Sequence, residues 1–254
     1  MTKKNQPDAR IPSGVRVLGL MILGSVAGCA SLPGYVHPSF KPEQIQDTRK
    51  VFIAPLDMQF FEISAGGVPE KVKGWGDQAN TVVLTATREE LRRRTQMDAM
   101  ELPDLDEAER RALERATAMF RRVADQIAAV KESNDESWTK RAHELEFTIG
   151  NELRPLARRV GADAILFVDG MDYVSSIGRR IMFVVTTLVF GLPVLPPGTS
   201  YLQAGLVDLN SGEVLWFGRD YSVTLGDLRE AGTAAKLVGG MFASYPETRT
   251  GPRQ

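Results

Sequence analysis

A single cysteine, Cys29, stands in 254 residues, so no disulfide can close within one chain. The fold has to rest on buried apolar surface, and a chain of this length can bury enough of it without covalent staples. Cys29 also ends an uncharged run, residues 17–28, that comes after Lys3, Lys4, Arg10 and Arg16 with only Asp8 against them. A basic stretch before a short apolar run has the layout of an export signal, and the run is well short of the roughly 20 residues that a spanning helix needs. Composition narrows the rest. With 43% hydrophobic and 25% charged residues and a formal net charge of -1, the chain is ordinary globular material. It carries no electrostatic footprint for nucleic acid, and it is too poor in Gly and Pro for a collagenous or disordered polymer.

The junction reads Val26-Ala27-Gly28-Cys29, and this resembles the bacterial lipobox. The resemblance implies that Cys29 receives a diacylglyceryl group, that lipoprotein signal peptidase recognises Val26, Ala27 and Gly28 and removes residues 1–28, and that the new amino terminus is acylated with palmitate or a similar chain. A thiol suits the first step as a soft nucleophile, and small residues suit a protease cleft. Two or more acyl chains make such an attachment stable. Ala30 and Ser31 come next, with no Asp, which by the enterobacterial sorting rule implies the outer membrane rather than the inner. Loss of residues 1–28 leaves a mildly acidic, lipid-anchored chain facing the periplasm.

Residues 29–49 contain three prolines and no sustained apolar period, and read as a tether. The domain is expected over 50–245, with a polar tail at 246–254. Residues 51–57 read as a buried strand ended by a Pro-Leu-Asp turn, then a loop with Ser64-Ala65-Gly66-Gly67 and a helix over 78–94. Leu113, Ala116, Phe120, Val123, Ile127 and Val130 then recur at alternating spacings of three and four, a heptad seam preceded by a capping pattern at Asp104-Leu105-Asp106-Glu107. Trp138, Ala142, Leu145, Ile149, Leu153 and Leu156 give a second helical stripe after Ser133-Asn134-Asp135-Glu136, so 104–156 reads as an inserted helical hairpin. The seam serves packing within the chain or, if the hairpin projects, a partner helix. Gly161-Ala162-Asp163 ends that helix before a second buried strand over 164–170. Residues 201–210 and 213–223 form a hairpin around Asn210-Ser211-Gly212, and a last helix is expected over 225–243. The order predicts an α/β fold, a mixed sheet of four or more strands with packed helices.

Three stretches, VFIAPLD, VGADAILFVDGMDYVSS and AGLVDLNSGEVLWFGRD, resemble a group of bacterial lipoproteins. The group includes the curli secretion-channel lipoprotein and the lipoprotein activators of penicillin-binding proteins, and its fold is similar to the amino-terminal domain of the Tol-Pal translocation protein. The resemblance covers under half of the mature chain and implies fold more than function.

Catalytic signals are thin. His37 and His143 are remote from each other and from any second ligand type, so no zinc site or triad is expected. Gly74-Trp75-Gly76-Asp77-Gln78-Ala79 formally matches a dinucleotide fingerprint but lacks the strand directly before it, and reads as a loop and helix start. Asp57 and Asp169 each end a predicted strand, with Asp172 close behind. On parallel neighbours they could form an acid/base pair or a cation site, or they are plain strand-end acids. Arg92-Arg93-Arg94 complements a helix carboxyl end. Residues 181–195 are a short uncharged run between Arg179-Arg180 and a cluster of prolines. Burial in the core or in a subunit contact is the first expectation, and insertion into the membrane is the alternative.

Together these features predict no catalytic, metal or cofactor residue and no small-molecule substrate. They point to an outer-membrane lipoprotein acting as an accessory or interaction factor in envelope assembly, with an envelope protein or a second copy as partner. The alternative is a subunit of an oligomeric export or pore assembly.

Overall fold

In the computed structural model the described residues are 34–40, 50–95, 99–132, 147–191, 198–223 and 226–246. In chain order they form β1 (Tyr35–Val36), β2 (Val51–Ile53), β3 (Asp57–Ile63), β4 (Pro69–Lys71), α1 (Trp75–Thr95), α2 (Glu107–Glu132), α3 (Arg154–Val160), β5 (Ala164–Ser175), α4 (Ile177–Phe190), β6 (Gly198–Asp208), β7 (Val214–Ser222) and α5 (Ala231–Met241), with a 3₁₀ turn over Phe242–Ser244. This is the expected α/β class, a mixed sheet of seven strands. The order is β1-β7-β6-β5-β3-β4, and β2 pairs with β5 ahead of β3.

β5 is apolar on both faces through residue 168 because helices cover both sides. Ala164, Leu166 and Val168 join the core under α1 and α5, while Ile165 and Phe167 join the core under α2 and α3. β2 and β3 both run parallel to β5. Ile53 stands opposite Leu166 and Asp57 opposite Asp169, so Ala54, Pro55 and Leu56 span the length of two residues on β5. That is a bulge, and Pro55, which has no N–H to offer a ladder, sits in it.

α1 begins after Gly74, whose φ of +88° requires glycine. Gly76 lets the helix start approach β3: a Cβ there would lie 2.7 Å from the Met58 carbonyl oxygen, and the Met58 N–H donates to Asn80 Oδ1 at 3.0 Å. α2 opens with a reciprocal cap in which the Glu109 N–H donates to Asp106 Oδ1 at 2.8 Å and the Asp106 N–H to Glu109 Oε2 at 3.0 Å. All six seam residues from Leu113 to Val130 are buried, and Phe120 stacks on Phe167 with ring centroids 5.0 Å apart.

Several expectations need correction. The Pro-Leu-Asp stretch does not end the strand, since β3 resumes at Asp57. The tether is not free throughout: Tyr35 and Val36 pair with Phe217 and Trp216, and Phe40 is buried. Within the expected hairpin, Trp138, Ala142 and Leu145 lie outside the described residues. The stretch from 147 to 160 is not one helix: Thr148 makes an isolated bridge to Glu213, and α3 starts only at Arg154, with Ile149, Leu153 and Leu156 all buried. Pro155 explains the late start, because proline is at home in a first helical turn and not in a helix interior. The last helix starts at Ala231, because Asp227 and Glu230 close a turn ahead of it. The described part of 181–195 is not in the core. It lies on α4, whose large apolar residues other than Phe183 face outward.

Candidate functional site

The two acids expected to share a rim do so. Asp57 and Asp169 are register partners on parallel strands. The space between them is filled by Arg121 of α2, one residue after Phe120 anchors that helix to the sheet. Arg121 Nη2 donates to Asp57 Oδ2 at 3.2 Å and to Asp169 Oδ1 at 2.7 Å, and its Nε donates to the same Asp169 oxygen at 3.0 Å. Gln203 Nε2 donates to Asp169 Oδ2 at 3.3 Å, and the Tyr201 hydroxyl donates to Gln203 Oε1 at 2.6 Å. Burial works against the charge of Arg121, but the hydrogen bonds and charges of Asp169 and Asp57 outweigh it and raise its pKa. Burial, with the charges of Asp125 and Asp169, also holds the Tyr201 phenol neutral well above its usual range. The arrangement is therefore an ion-paired clamp between helix and sheet rather than an acid/base pair. A cation would have to displace a guanidinium already bonded to both carboxylates. A cleft of about 590 Å³ opens beside the clamp, lined by Leu56, Asp57, Leu105, Arg110, Glu114 and Arg121 among others.

Asp172 belongs to the opposite face. It is fully buried and accepts from Ser200 Oγ at 2.8 Å and from the Leu228 N–H at 2.8 Å. Burial pushes its carboxyl up to about 6, against the lowering effect of those two bonds. It fixes the loop ahead of α5 to the sheet. Beside it Asp227 pairs with Arg229, whose guanidinium lies 3.7 Å from the centroid of the Trp75 ring.

The most exposed apolar surface is on α4. Ser176 caps its start by accepting from the Arg179 N–H at 3.3 Å, and Gly191 ends it at φ +71°. Arg179 is the one buried residue, and Arg180 Nε donates to the Ser175 carbonyl at 3.0 Å, so both cations sit at the helix base. Beyond them the polarity is inverted. Ile181, Met182, Val184, Val185, Leu188 and Val189 are exposed, whereas Phe183, Thr186 and Thr187 lie on the more sheltered side. Ile177 and Leu188 are 79% and 80% exposed.

The remaining candidates from the sequence sit apart from these three places. Cys29, Val26, Ala27, Gly28 and His143 lie outside the described residues. His37 Nδ1 is 2.7 Å from Ser39 Oγ at the surface. Arg93 and Arg94 both bind Glu90 in the last turns of α1. Among the described residues no group of three or more His, Cys, Asp or Glu side chains is placed to hold a metal, and no helix is long and apolar enough to cross a membrane. Sequence reasoning missed Arg121. Its one signal was a position next to the seam residue Phe120, which sets it at the edge of the buried stripe.

The sequence matches no protein-family model and no curated protein. Among solved structures, the chain is similar to the PelC dodecamer from Paraburkholderia phytofirmans at 10% identity and a TM-score of 0.38, over 83% of this chain and 92% of that one. It is similar to lipoprotein GNA1162 from Neisseria meningitidis at 16% identity and a TM-score of 0.32, over 75% and 92% of the two chains. It is also similar to the LpoB C-terminal domain from Salmonella enterica at 11% identity and a TM-score of 0.24, over 72% and 93%. Scores of this size carry no inference about function or assembly.

Proposed function

We propose that the protein is a lipid-anchored, non-catalytic accessory factor of the bacterial cell envelope, held at the periplasmic face of the outer membrane through Cys29. The observation that carries this reading is the lone cysteine at the end of the apolar run, in the setting Val26-Ala27-Gly28-Cys29. The geometry of the acids supports the non-catalytic part: Asp57 and Asp169 bind Arg121, and Asp172 holds Ser200 and the Leu228 N–H, so each of the three is committed to holding the fold.

The test is mass spectrometry of the amino-terminal peptide of the protein expressed from its full chain in a Gram-negative host, with membrane fractionation alongside. The expected peptide begins at a diacylated or triacylated Cys29 and is found with the outer membrane, and Cys29→Ala leaves residues 1–28 attached. An unmodified Cys29, or a mature chain that starts elsewhere, overturns the anchor. A turnover activity abolished by Asp57→Asn or Asp169→Asn in a chain that still folds overturns the non-catalytic part.

A further inference from the structure

We infer that α4 is a second, direct contact with the lipid surface, its outward face lying at the boundary of headgroups and acyl chains in the membrane to which Cys29 is tethered. The inference rests on the Cys29 reading for the choice of membrane. It rests on the structure for the rest.

A surface helix in water turns its charged side outward and its apolar side to the core. α4 does the reverse. Its outward arc carries only apolar side chains and Gly178, and no charged residue comes after Arg180 along the helix. At 14 residues it is about 21 Å long, short of the roughly 30 Å hydrocarbon core, so it suits lying in the interface rather than crossing it. Its base is fixed to the domain by the burial of Arg179, by Arg180 on the Ser175 carbonyl and by the Ser176 N–H, which donates to the Ile63 carbonyl at 3.0 Å, and a Cβ at Gly178 would meet Ala65 Cβ in the β3–β4 turn at 3.7 Å. The helix is thus presented at a set place on the fold.

Topology says what covers it. β1 runs antiparallel to β7, β7 to β6 and β6 to β5. β1 therefore has its amino-terminal side, at Gly34, turned toward the end of the sheet where β5 finishes and α4 begins. Gly34 precedes Tyr35, whose partner Phe217 is level with Gly205 and Phe167, so Gly34 stands near the level of Val168. From there to Ser175 is about 23 Å along β5, and the five steps from Gly34 back to Cys29 reach up to about 17 Å. Cys29 is thus five residues from a strand whose entry side faces the end of the molecule that carries the apolar helix. The same end carries other apolar exposure. Of the fourteen large apolar side chains exposed among the described residues, eight are on α4, while Val68 of the β3–β4 turn and Tyr221 and Val223 at the close of β7 stand at that end as well. An exposed apolar patch of this kind marks a contact with protein or membrane, and the short stretch of chain between Gly34 and the anchor at Cys29 favours the membrane.

The experiment uses the chain from Ala30 onward, which contains every described residue and no cysteine. A single cysteine is introduced by Leu188→Cys, or by Met119→Cys on α2 as a control, and is labelled with a dye sensitive to polarity. Vesicles of phosphatidylethanolamine and phosphatidylglycerol are the probe. The expected result is flotation of the unlipidated protein with the vesicles and a blue-shifted, severalfold brighter dye at position 188 with no change at 119. The triple variant Ile181→Ser, Val185→Ser, Leu188→Ser should keep its melting temperature and stay out of the floating fraction. A dye at 188 that remains in water when vesicles are added overturns the inference. So does a dye that turns blue without vesicles as the native mass doubles with concentration, which assigns α4 to a second copy of the chain. Position 188 in water with lipid found on Cys29 removes this inference and leaves the anchor. Position 188 in lipid with Cys29 unmodified removes the anchor and leaves the helix contact.

Discussion

α2 and α4 are both rich in apolar residues, and the fold treats them in opposite ways. α2 alternates its apolar seam with arginines and acids, and its whole seam is buried against the sheet. α4 has the longer uncharged run and buries only an arginine. Apolar content alone therefore does not decide burial. α2 has a polar side to give to water, and it is tied to the rest of the chain by Arg121 to Asp57 and Asp169, Arg115 to Glu152 and Glu109 to Arg159. α4 is joined at its first turn and is free of such ties further on, so its outer face is open to a different solvent.

The largest expected effect breaks the α2 side. Phe120 is fully buried, stacked on Phe167, and seated over Gly205, where a Cβ would overlap its ring. Phe120→Ala should cost about 3–5 kcal/mol in urea unfolding through lost burial and the cavity left behind. Gly205→Ala should cost about 1–3 kcal/mol by overpacking. Together they should cost less than their sum, because the new methyl enters space the ring has vacated. Additive costs would show that Phe120 does not sit over Gly205.

The next effect probes the opposite face of the sheet. The Asp172 carboxyl has a value near 6 in the fold against 3.8 for an ordinary aspartate. The folded state therefore holds this proton more tightly than the unfolded chain, and the contribution of Asp172 to stability falls as pH rises from about 4 to about 6 and then levels off. The contribution is about 3 kcal/mol across that window. Asp172→Asn should flatten this part of the pH profile, since an amide can still accept from the Leu228 N–H and donate to Ser200 Oγ. An unchanged slope between pH 4 and 6 would show that Asp172 is not the group responsible. Arg121→Met comes third. It leaves Asp57 facing Asp169 without a cation, but Asp57 is 68% exposed, so solvent screening limits the cost to about 1 kcal/mol. Raising the salt concentration should shrink that difference, and a loss that salt leaves untouched would point to packing instead.

Legibility in the sequence depends on how far apart the cooperating residues are. The α2 seam and the Asn210-Ser211-Gly212 turn are local, and the helix period or turn chemistry marks them directly. Gly161 closes α3 at φ +65°, as a glycine after the last helical turn should. β3 was hidden because Pro55, a breaker in a regular strand, sits in a bulge after which pairing resumes. β1 is two residues long, too short for any period to show. Arg121 reaches partners 48 and 64 residues away, and nothing near Arg121 in the chain announces Asp169 or Asp57. The uncharged run at 181–195 was plain to see, but whether such a run is covered is settled by the surrounding fold, and here the fold leaves its described part uncovered.

The smallest effect sharpens the comparison most, because it makes the same chemical change on both helices. Ile127 on α2 is fully buried, while Ile181 on α4 is 57% exposed. Ile127→Ser should cost about 2–5 kcal/mol, since it opens a cavity and buries a hydroxyl. Ile181→Ser should stay within about 0.5 kcal/mol, as a substitution at an uncovered surface does. The two values come from one isoleucine-to-serine exchange in one molecule under one set of conditions, so side-chain chemistry cancels and only burial differs. A cost at Ile181 approaching that at Ile127 would mean that α4 is covered in solution by another copy, and native mass measured on the same samples would then rise with concentration. A near-zero cost at Ile181, with a monomeric mass, leaves the face of α4 without a second copy on it and open to lipid.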